Sequence, residues 1–302
     1  MQNNADKYCS YNSFYWKERK KGFHRPLGKK KGIISLIKII KSLQINRSLR
    51  ILDIGCGDGY ILKYISSHLK NIKIEFYGLD RNAEVLSHAE KNVHNNNMHQ
   101  FFFIEKEIAD DLWTNDLGKF DVVFCVNVFH EVYSSLLFQK TPFLNKVFYH
   151  SINQIFTLVD KGGFLFLFDG IEQENALMRN VEFEILNAET DEKFNLFTAE
   201  YKTYPVSFKQ LSNGIIRCNL FDFTRFITKL RFISTPTWNI EKNESYQYYT
   251  ENEFYDLFNN NGMIRIESSQ FICDVPEWEK NIRILNNSSF PGECFYILGR
   301  KK

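Results

Sequence analysis

Residues 51–60 read ILDIGCGDGY, an apolar run that leads directly into a turn with three glycines at alternate positions. A helix-like stretch, YILKYI at residues 60–65, follows the turn. Glycines remove side chains where a chain turns sharply, and they let the backbone approach a ligand closely. The stretch therefore predicts a strand, a ligand-binding turn and a helix in succession.

The spacing of these glycines argues against two common nucleotide sites. The turn is G-x-G-x-G, whereas dinucleotide-binding proteins use G-x-G-x-x-G and P-loops need a following Gly-Lys-Ser/Thr. A second apolar run, FYGLD at residues 76–80, ends on the carboxylate of Asp80. Nucleoside-binding α/β folds place an acceptor for the ribose hydroxyls about this far downstream, and a carboxylate can bind both hydroxyls of a vicinal diol. A smaller ligand that contains a nucleoside is therefore expected.

Short apolar runs alternate with helix-like segments as far as residue 169. Three more runs follow the first two: QFFFI at residues 100–104, KFDVVFCV at 119–126 and GGFLFLFD at 162–169. This alternation is typical of βαβ units and a parallel sheet. Ligands of such sheets lie across the carboxyl ends of the strands, where the glycine turn and Asp80 both fall.

The same order resumes near the end of the chain. Residues 249–258 contain a Thr-x-x-Glu capping box, which predicts the start of an amphipathic helix, and Asn261-Gly262 predicts its end. Residues 263–271 and 294–300 then have the pattern of a closing pair of strands.

With these elements, the sequence resembles the class I S-adenosylmethionine-dependent methyltransferases. That family holds its cofactor with a D-x-G-x-G-x-G strand, turn and helix and with an acidic end to the second strand. Here these motifs stand at residues 53–59 and 78–80. The resemblance covers residues 48–170 and 249–302. It implies an α/β fold with a doubly wound, mostly parallel seven-stranded sheet and a C-terminal antiparallel hairpin. It also implies S-adenosyl-L-methionine as cofactor and S-adenosyl-L-homocysteine as product.

The resemblance also implies where the cofactor is held. Asp53 and the glycine turn would line its methionine part, and Asp80 would bind the ribose. Glu107 and Ile108 would lie at the adenine amine, where Asp110 is the alternative to Glu107. Asn127 would contact the amino-acid end. The predicted cofactor residues are Asp53, Gly55, Cys56, Gly57, Gly59, Asp80, Arg81, Glu107, Ile108 and Asn127.

His130 follows the fourth apolar run, where the methyl acceptor would arrive. Methyl transfer from a sulfonium needs donor and acceptor in line, exclusion of water and, for a weak nucleophile, removal of a proton. Histidine is suited to take a proton near neutral pH, so His130 is the candidate general base; a structural role at the turn is the alternative. Glu131 could orient the imidazole or could simply begin a helix. The substrate-side candidates are Asp169, Tyr246, Tyr248 and Tyr249.

The remaining segments predict additions to the cofactor-binding core at residues 48–170 and 249–302. Residues 1–47 form an aromatic and basic arm followed by an apolar helix that should pack on the sheet. The basic run could be a solvated face or could contact an anionic substrate or RNA, and the aromatic residues before it could fold over the cofactor. Residues 171–248 are rich in aromatic side chains and lack the βα rhythm, which predicts an inserted substrate-side subdomain with a core of its own.

Composition sets further limits. The chain has 302 residues, 44% of them hydrophobic, and a net charge of +2, which gives no global field that favours nucleic acid. The polar N-terminus and the absence of long apolar runs predict a cytoplasmic protein without a membrane span. Because the cysteines show no CxxC spacing, we expect free thiols and no metal site. The six are Cys9, Cys56, Cys125, Cys218, Cys273 and Cys294.

The motifs also narrow the acceptor. Methyltransferases of exocyclic DNA or RNA amines carry Asn or Asp, Pro-Pro and an aromatic residue after the fourth strand, whereas residues 127–130 read NVFH. Cys125 lies inside an apolar run without the proline of a cytosine-C5 nucleophile, and we expect it to be buried and inert. The paired-Glu loop of protein arginine methyltransferases is absent as well. We therefore predict methylation of a small molecule or biosynthetic intermediate, most simply at a hydroxyl. RNA or protein methylation with the basic arm is the alternative, and a non-catalytic scaffold is the third hypothesis.

Overall fold

The computed structural model describes the predicted core and insertion, but only three positions before residue 29. The described residues are 29–43, 46–108, 110, 113–211, 214–286 and 288–302, together with Trp16, Lys20 and Phe23. Most of the predicted basic arm, including Cys9 and its first tyrosines, lies outside these residues.

Strands and helices alternate through the first half of the described chain. The strands are β1 (Leu49–Ile54), β2 (Ile74–Asp80), β3 (His99–Glu105), β4 (Phe120–Val126), β5 (Val159–Gly170), β6 (Asn180–Ile185), β7 (Phe208–Gln210), β8 (Ile216–Asn219), β9 (Met263–Phe271), β10 (Ile282–Ile284) and β11 (Cys294–Lys301). The helices are α1 (Lys29–Ser42), α2 (Tyr60–His68), α3 (Ala83–Asn92), α4 (Phe129–Phe138), α5 (Leu144–Leu158), α6 (Ala188–Glu200), α7 (Leu220–Lys229), α8 (Trp238–Glu241), α9 (Glu251–Asn260) and α10 (Val275–Asn281).

Seven strands form one sheet in the order β3-β2-β1-β4-β5-β11-β9. The pairs among β1 to β5 are parallel, and β11 runs antiparallel to both of its neighbours, β5 and β9. Hydrophobic clusters cover both faces: α1 packs on one of them, with Ile33, Leu36 and Ile40 fully buried there, and α5 and α9 pack on the other. The predicted α/β fold, with a doubly wound and mostly parallel sheet closed by an antiparallel hairpin, is confirmed.

Local sequence explains the boundaries that matter for the site. All seven residues of β4 are buried, as expected for a central parallel strand covered on both faces. At the start of α9, the Thr250 side chain accepts the backbone N–H of Glu253 while the Glu253 carboxylate accepts that of Thr250, which is the predicted capping box. The Asn82 side chain caps α3 directly after β2 and so fixes the chain that leaves Asp80.

A second, four-stranded sheet has the order β10-β6-β8-β7 and pairs antiparallel throughout. Its hydrophobic cluster includes Phe183, Phe197, Phe223 and Phe226, so these aromatic side chains form the core that we expected for the insertion. Strand β10 and Trp278, which also packs there, come from the segment after residue 249. The division at residues 171 and 249 stays a prediction, and the sheet pairing adds residues 275–284 to the same unit.

No helix in the described part of the chain combines the length and the apolar character needed to cross a bilayer.

Candidate cofactor and acceptor site

The glycine turn between β1 and α2 comes close to neighbouring groups on two sides. Gly55 has a φ of +69°, and a Cβ there would lie 2.2 Å from the Val128 side chain. Gly57 has a φ of +54°, and a Cβ there would lie 2.4 Å from the Trp16 ring. A side chain at either position would therefore meet both backbone strain and a steric clash, so both positions require glycine.

Asp80, at the end of β2, faces the same turn. Its Oδ2 accepts the backbone N–H of Gly57 at 3.0 Å, and its Oδ1 accepts that of Asn82 at 3.1 Å. The same carboxylate lines a cavity beside the turn, and a carboxylate can accept both hydroxyls of a ribose.

A cavity of about 470 Å³ opens beside Asp80 and holds six of the predicted cofactor residues. An ion pair crosses it, with Arg81 Nη1 at 3.4 Å from Glu107 Oε2 and both side chains about one-third exposed. Its lining therefore combines hydrogen-bond acceptors and donors with the buried apolar side chain of Ile108. This combination suits a flat ring with polar edges. Asp110 is not among the lining residues. The six are Gly55, Asp80, Arg81, Glu107, Ile108 and Asn127.

A cavity of about 460 Å³ lies on the other side of the glycine turn and shares Gly55 with the first. Described residues of the N-terminal arm lie against the turn here: Lys20 Nζ lies 2.7 Å from Asp58 Oδ2, and Trp16 lines the cavity. Phe23 is 3% exposed and packs edge-on against Tyr60. Arm residues thus lie over the turn.

Three further predicted cofactor residues, Asp53, Cys56 and Gly59, lie in the glycine turn or directly before it. Asp53 is 1% exposed and lies beneath the turn, outside both cavities. Cys56 lines the arm-side cavity, and burial raises the pKa of its thiol well above the ordinary value, which makes it unreactive. Gly59 has a φ of +72° and caps α2. Cys125 is likewise buried with a raised pKa, as predicted for an inert thiol.

His130, at the start of α4, is bound to Asp169 at the end of β5. His130 Nδ1 lies 2.6 Å from Asp169 Oδ1, and Asp169 Oδ2 accepts the backbone N–H of His130 at 3.1 Å. The backbone N–H of Gly170 also donates to Oδ1, at 2.7 Å. Both side chains are buried. They meet because β4 and β5 are parallel neighbours, which places the residues after β4 beside the end of β5. The partner that orients His130 is thus Asp169 rather than Glu131.

This pair controls the protonation of the imidazole. A carboxylate only accepts, so Nδ1 carries the proton and Nε2 is left with its lone pair. Burial opposes the charged form of His130, but the charge and hydrogen bond of Asp169 outweigh it and raise the pKa above the ordinary value of 6.5. In the described part of the chain, Nε2 makes no hydrogen bond, and His130 lines a third cavity. The arrangement is that of an oriented base.

That cavity, the acceptor cavity, has a volume of about 1050 Å³ and lies between the sheet edge and the second sheet's unit. It shares Asn127 and Glu131 with the cavity at Asp80. The Tyr246 ring lies edge-on to His130 with centroids 4.7 Å apart, whereas Tyr249 packs against Phe148 and does not line the cavity. Tyr248 also packs in the core. Of the three predicted tyrosines, only Tyr246 reaches the acceptor cavity.

Buried charges form one wall of the acceptor cavity. Lys229 Nζ lies 2.6 Å from Glu241 Oε2, which also accepts the Tyr246 hydroxyl at 2.5 Å. Burial would raise the pKa of Glu241, but Lys229 outweighs it and lowers that pKa. Burial and the repulsion of Glu241 raise the pKa of nearby Glu244 to about 7. Two carboxyl groups therefore line this wall: Glu241, which is fixed by Lys229 behind it, and Glu244, whose pKa lies near neutrality.

Sequence reasoning missed a second group in this cavity. The Sγ atoms of Cys273 and Cys294 lie 2.9 Å apart, and Glu293 Oε1 accepts the backbone N–H of Cys273 at 2.7 Å. The spacing of 21 residues gives no signal for such a pair. An alternating pattern that pairs β9 with β11 could have found it, because that pairing brings the two cysteines together. The five described cysteines are free thiols, as predicted.

The fold defines a Rossmann-like α/β protein with cavities at the carboxyl ends of its parallel strands, where such folds hold their ligands. The sequence matches the model of the family described as "Methyltransferase domain" over residues 45–283, so the chain belongs to that family. The family uses S-adenosylmethionine, and the predicted cofactor is therefore confirmed.

Solved structures with a similar course of the chain are also methyltransferases. A magnesium protoporphyrin IX methyltransferase from Synechocystis PCC 6803 with bound SAH shows 11% identity and a TM-score of 0.48, covering 96% of this chain and 95% of that one. A SAM-dependent methyltransferase from Methanosarcina mazei shows 14% identity and a TM-score of 0.43, covering 87% and 96%. No curated protein shows significant sequence similarity. Likenesses this distant carry no information about the acceptor.

Proposed function

We propose that the protein transfers the methyl group of S-adenosylmethionine to a small molecule or biosynthetic intermediate, most simply at a hydroxyl, with His130 as general base. The observation that carries this proposal is the buried His130–Asp169 pair, whose imidazole lines the acceptor cavity next to the predicted cofactor site. A hydroxyl is a weak nucleophile, and a base at this position can remove its proton.

The proposed cofactor site extends across the two smaller cavities. Asp80 binds the ribose hydroxyls, Arg81, Glu107 and Ile108 surround the adenine, and the glycine turn holds the methionine part. Asp53 supports the turn from below, and Asn127 lies where cofactor and acceptor cavities meet. When bound, the cofactor supplies the electrophilic methyl group. The remaining proposed contacts come from the backbone of Gly55, Cys56, Gly57 and Gly59.

His130 and its surroundings supply the proton transfer. Asp169 holds the proton on Nδ1 and stabilises the imidazolium that forms when Nε2 takes the acceptor proton. Tyr246 packs edge-on against the ring and, with the neighbouring wall, keeps water from it. Glu131, which lines both the acceptor and the cofactor cavity, adds to the negative field that favours the charged imidazole.

The charge of the acceptor cavity favours a small acceptor over RNA. Its lining carries six carboxyl groups, against the cations Lys29 and Arg231. Burial raises the pKa of two of the six, Glu244 and Glu293, so the negative excess is smaller than this count, but it still disfavours a polyanionic backbone and suits an acceptor with several hydroxyls or a positive charge. Lys20 of the basic arm is paired with Asp58 at the glycine turn, which supports an arm that covers the cofactor. The six carboxyl groups are those of Glu131, Asp169, Glu241, Glu244, Asp274 and Glu293.

We also propose that residues 171–248, joined by residues 275–284, act as the substrate-side unit. Thr228, Phe232 and Thr237 of this segment line the acceptor cavity opposite the sheet. Specificity for the acceptor would then change with this unit, while cofactor binding stays with residues 48–170.

Transfer of a tritium-labelled methyl group tests the proposal. The protein is incubated with labelled S-adenosylmethionine and, in parallel, with a panel of polyhydroxylated small molecules, total RNA and protein extract. We expect label in a small-molecule fraction, lost in His130→Ala and kept in His150→Ala, an exposed histidine on α5. Label in RNA or protein would favour the alternative acceptors, and no binding of cofactor at micromolar concentration would favour a scaffold.

A further inference from the structure

Three side chains in the acceptor cavity have no part in the proposed methyl transfer. The sulfurs of Cys273 and Cys294 and the carboxylate of Glu293 offer three ligand atoms that all lie within 4.8 Å of one another. Cys294 begins β11 and pairs with Gly170, next to Asp169, while Cys273 follows the end of β9. The sheet itself therefore holds this group at the edge where His130 lies.

Glu293 has an oxygen whose hydrogen-bonding capacity is not used. Its side chain is 4% exposed, and Oε1 accepts the backbone N–H of Cys273. Oε2 is buried and makes no hydrogen bond within the residues that the structure describes. Burying an acceptor without a partner costs free energy. A cation shared with the two sulfurs would give this oxygen its partner.

The ligand set indicates the kind of cation. Two thiolates and one carboxylate favour a borderline-soft ion such as Zn²⁺ over Mg²⁺ or Ca²⁺, which prefer oxygen alone. Two thiolates on a tetrahedral zinc ion are about 3.8 Å apart. The sulfurs of Cys273 and Cys294 lie 2.9 Å apart, so they would separate by roughly 0.9 Å, which side-chain rotation can supply. A disulfide would use the two sulfurs but leave Oε2 of Glu293 without a partner.

We propose that Cys273, Cys294 and Glu293 bind one thiophilic divalent cation, with Zn²⁺ as the type, whose fourth position opens onto the acceptor cavity. Burial raises the pKa of the Glu293 carboxyl, so binding displaces its proton as well as the two thiol protons into solvent. Two thiolates and one carboxylate leave one excess negative charge around a divalent ion, and Lys29 in the same cavity offsets it. Three protein ligands and an open fourth position are the arrangement of catalytic zinc sites. That the open position takes a donor atom of the acceptor rests on the proposed function; binding of the ion does not.

Cadmium titration of the full chain tests this site. The protein is reduced, treated with chelator, desalted and titrated with Cd²⁺, and the thiolate-to-metal charge-transfer absorbance is followed in the ultraviolet. We expect saturation at one ion per chain and displacement by Zn²⁺. Cys273→Ser and Cys294→Ser should each abolish the tight band, whereas Cys218→Ala, in the core of the second sheet, should keep it. Glu293→Gln should weaken binding about ten-fold or more, since loss of an outer-shell partner alone has an effect of that size.

The site is refuted if the reduced chain gives no band at stoichiometric Cd²⁺, or if the band survives both cysteine substitutions. Mass spectrometry of protein purified without reductant provides a second check. If the mass is lower by two hydrogens and the reduced protein binds no metal, the two cysteines form a disulfide pair, and the proposal is overturned as well. Circular dichroism checks each variant; if Cys294→Ser in β11 does not fold, Cys273→Ser and Glu293→Gln still decide. Cofactor binding is measured separately by calorimetry, so failure of the metal site and failure of the methyltransferase proposal give different results.

Discussion

The substitution Asp169→Asn is the sharpest test of His130 as general base, because it replaces only one carboxylate oxygen of its hydrogen-bond partner by an amide nitrogen. In the wild type, Oδ1 accepts from His130 Nδ1 at 2.6 Å and from Gly170 N–H at 2.7 Å, while Oδ2 accepts from the His130 backbone. An asparagine offers one acceptor oxygen for these sites. Whichever way its amide lies, one buried backbone N–H then faces an NH₂ group and loses its acceptor.

The expected size of the effect follows from these contacts. The unpaired backbone donor should lower the free energy of unfolding by about 1–3 kcal/mol. With NH₂ at the Oδ1 position, Nδ1 accepts instead of donates, so the proton moves to Nε2 and the base has the wrong tautomer. We expect turnover to fall about 10²- to 10⁴-fold, the usual contribution of a general base, with the cofactor Kd nearly unchanged.

The same substitution should move the pKa of His130. Asp169 raises this pKa above 6.5 against the effect of burial, so its removal should lower it; Glu131 and Glu244 also raise it and limit the fall. A base must be neutral, so the acidic limb of the pH–rate profile should move to lower pH. A raised folded-state pKa stabilises the protein below the unfolded value and loses that contribution as pH rises through the folded value. Asp169→Asn should therefore cost more stability at acidic pH than above the pKa of His130.

Three measurements check this reasoning. NMR titration of labelled histidine gives the pKa, urea unfolding at several pH values gives the free energy, and methyl transfer gives turnover. Asp160→Asn, the same change near the other end of β5, is the matched control and should affect none of them substantially. An unchanged pKa of His130, or turnover within about three-fold of the wild type, well below the effect expected of a lost general base, would refute the assignment of Asp169 as its orienting partner.

Three further substitutions test other parts of the account. Gly55→Ala should lower the free energy of unfolding by more than about 1 kcal/mol in urea titration, since a φ of +69° strains an L-residue and the new Cβ meets Val128; an unchanged midpoint would argue against the turn geometry. Trp16→Ala should weaken cofactor binding about three- to ten-fold by calorimetry and leave stability unchanged. If the variant binds the cofactor with the same Kd as the wild type, Trp16 of the arm does not contribute to cofactor binding. Lys229→Met should destabilise the protein by about 3–5 kcal/mol, because it leaves Glu241 buried without its cation. The double variant Lys229→Met/Glu241→Leu should regain much of this loss. If neither variant changes the free energy of unfolding, the ion pair does not contribute to stability.

Local sequence was enough to predict the glycine turn and the position of Asp80 at the end of a strand. Both follow apolar runs directly, and each depends on residues within one βα unit. The capping box at Thr250 and the buried strand β4 are likewise properties of short stretches. These elements could be predicted because their determinants are close together in the chain.

The acceptor side depends on contacts between distant segments. His130 and Asp169 are 39 residues apart and meet because β4 and β5 pair in register. Cys273 and Cys294 meet through the antiparallel pairing of β9 and β11. No residue type marks which strands become neighbours, so the sequence named Glu131 as the group that could orient the imidazole, whereas the structure brings Asp169 to it. Such pairings are properties of the whole sheet.

Calorimetric titration with S-adenosylmethionine tests the central claim most directly. We predict one site per chain with a Kd on the order of micromolar. Asp80→Ala should weaken it at least about 100-fold, because two hydrogen bonds from ribose hydroxyls to a charged group are lost. Glu90→Ala, an exposed carboxylate on the neighbouring α3, should leave the Kd unchanged. No heat of binding to the wild type, or equal affinity for the Asp80→Ala variant, would contradict the assignment of the glycine turn and Asp80 as the cofactor site.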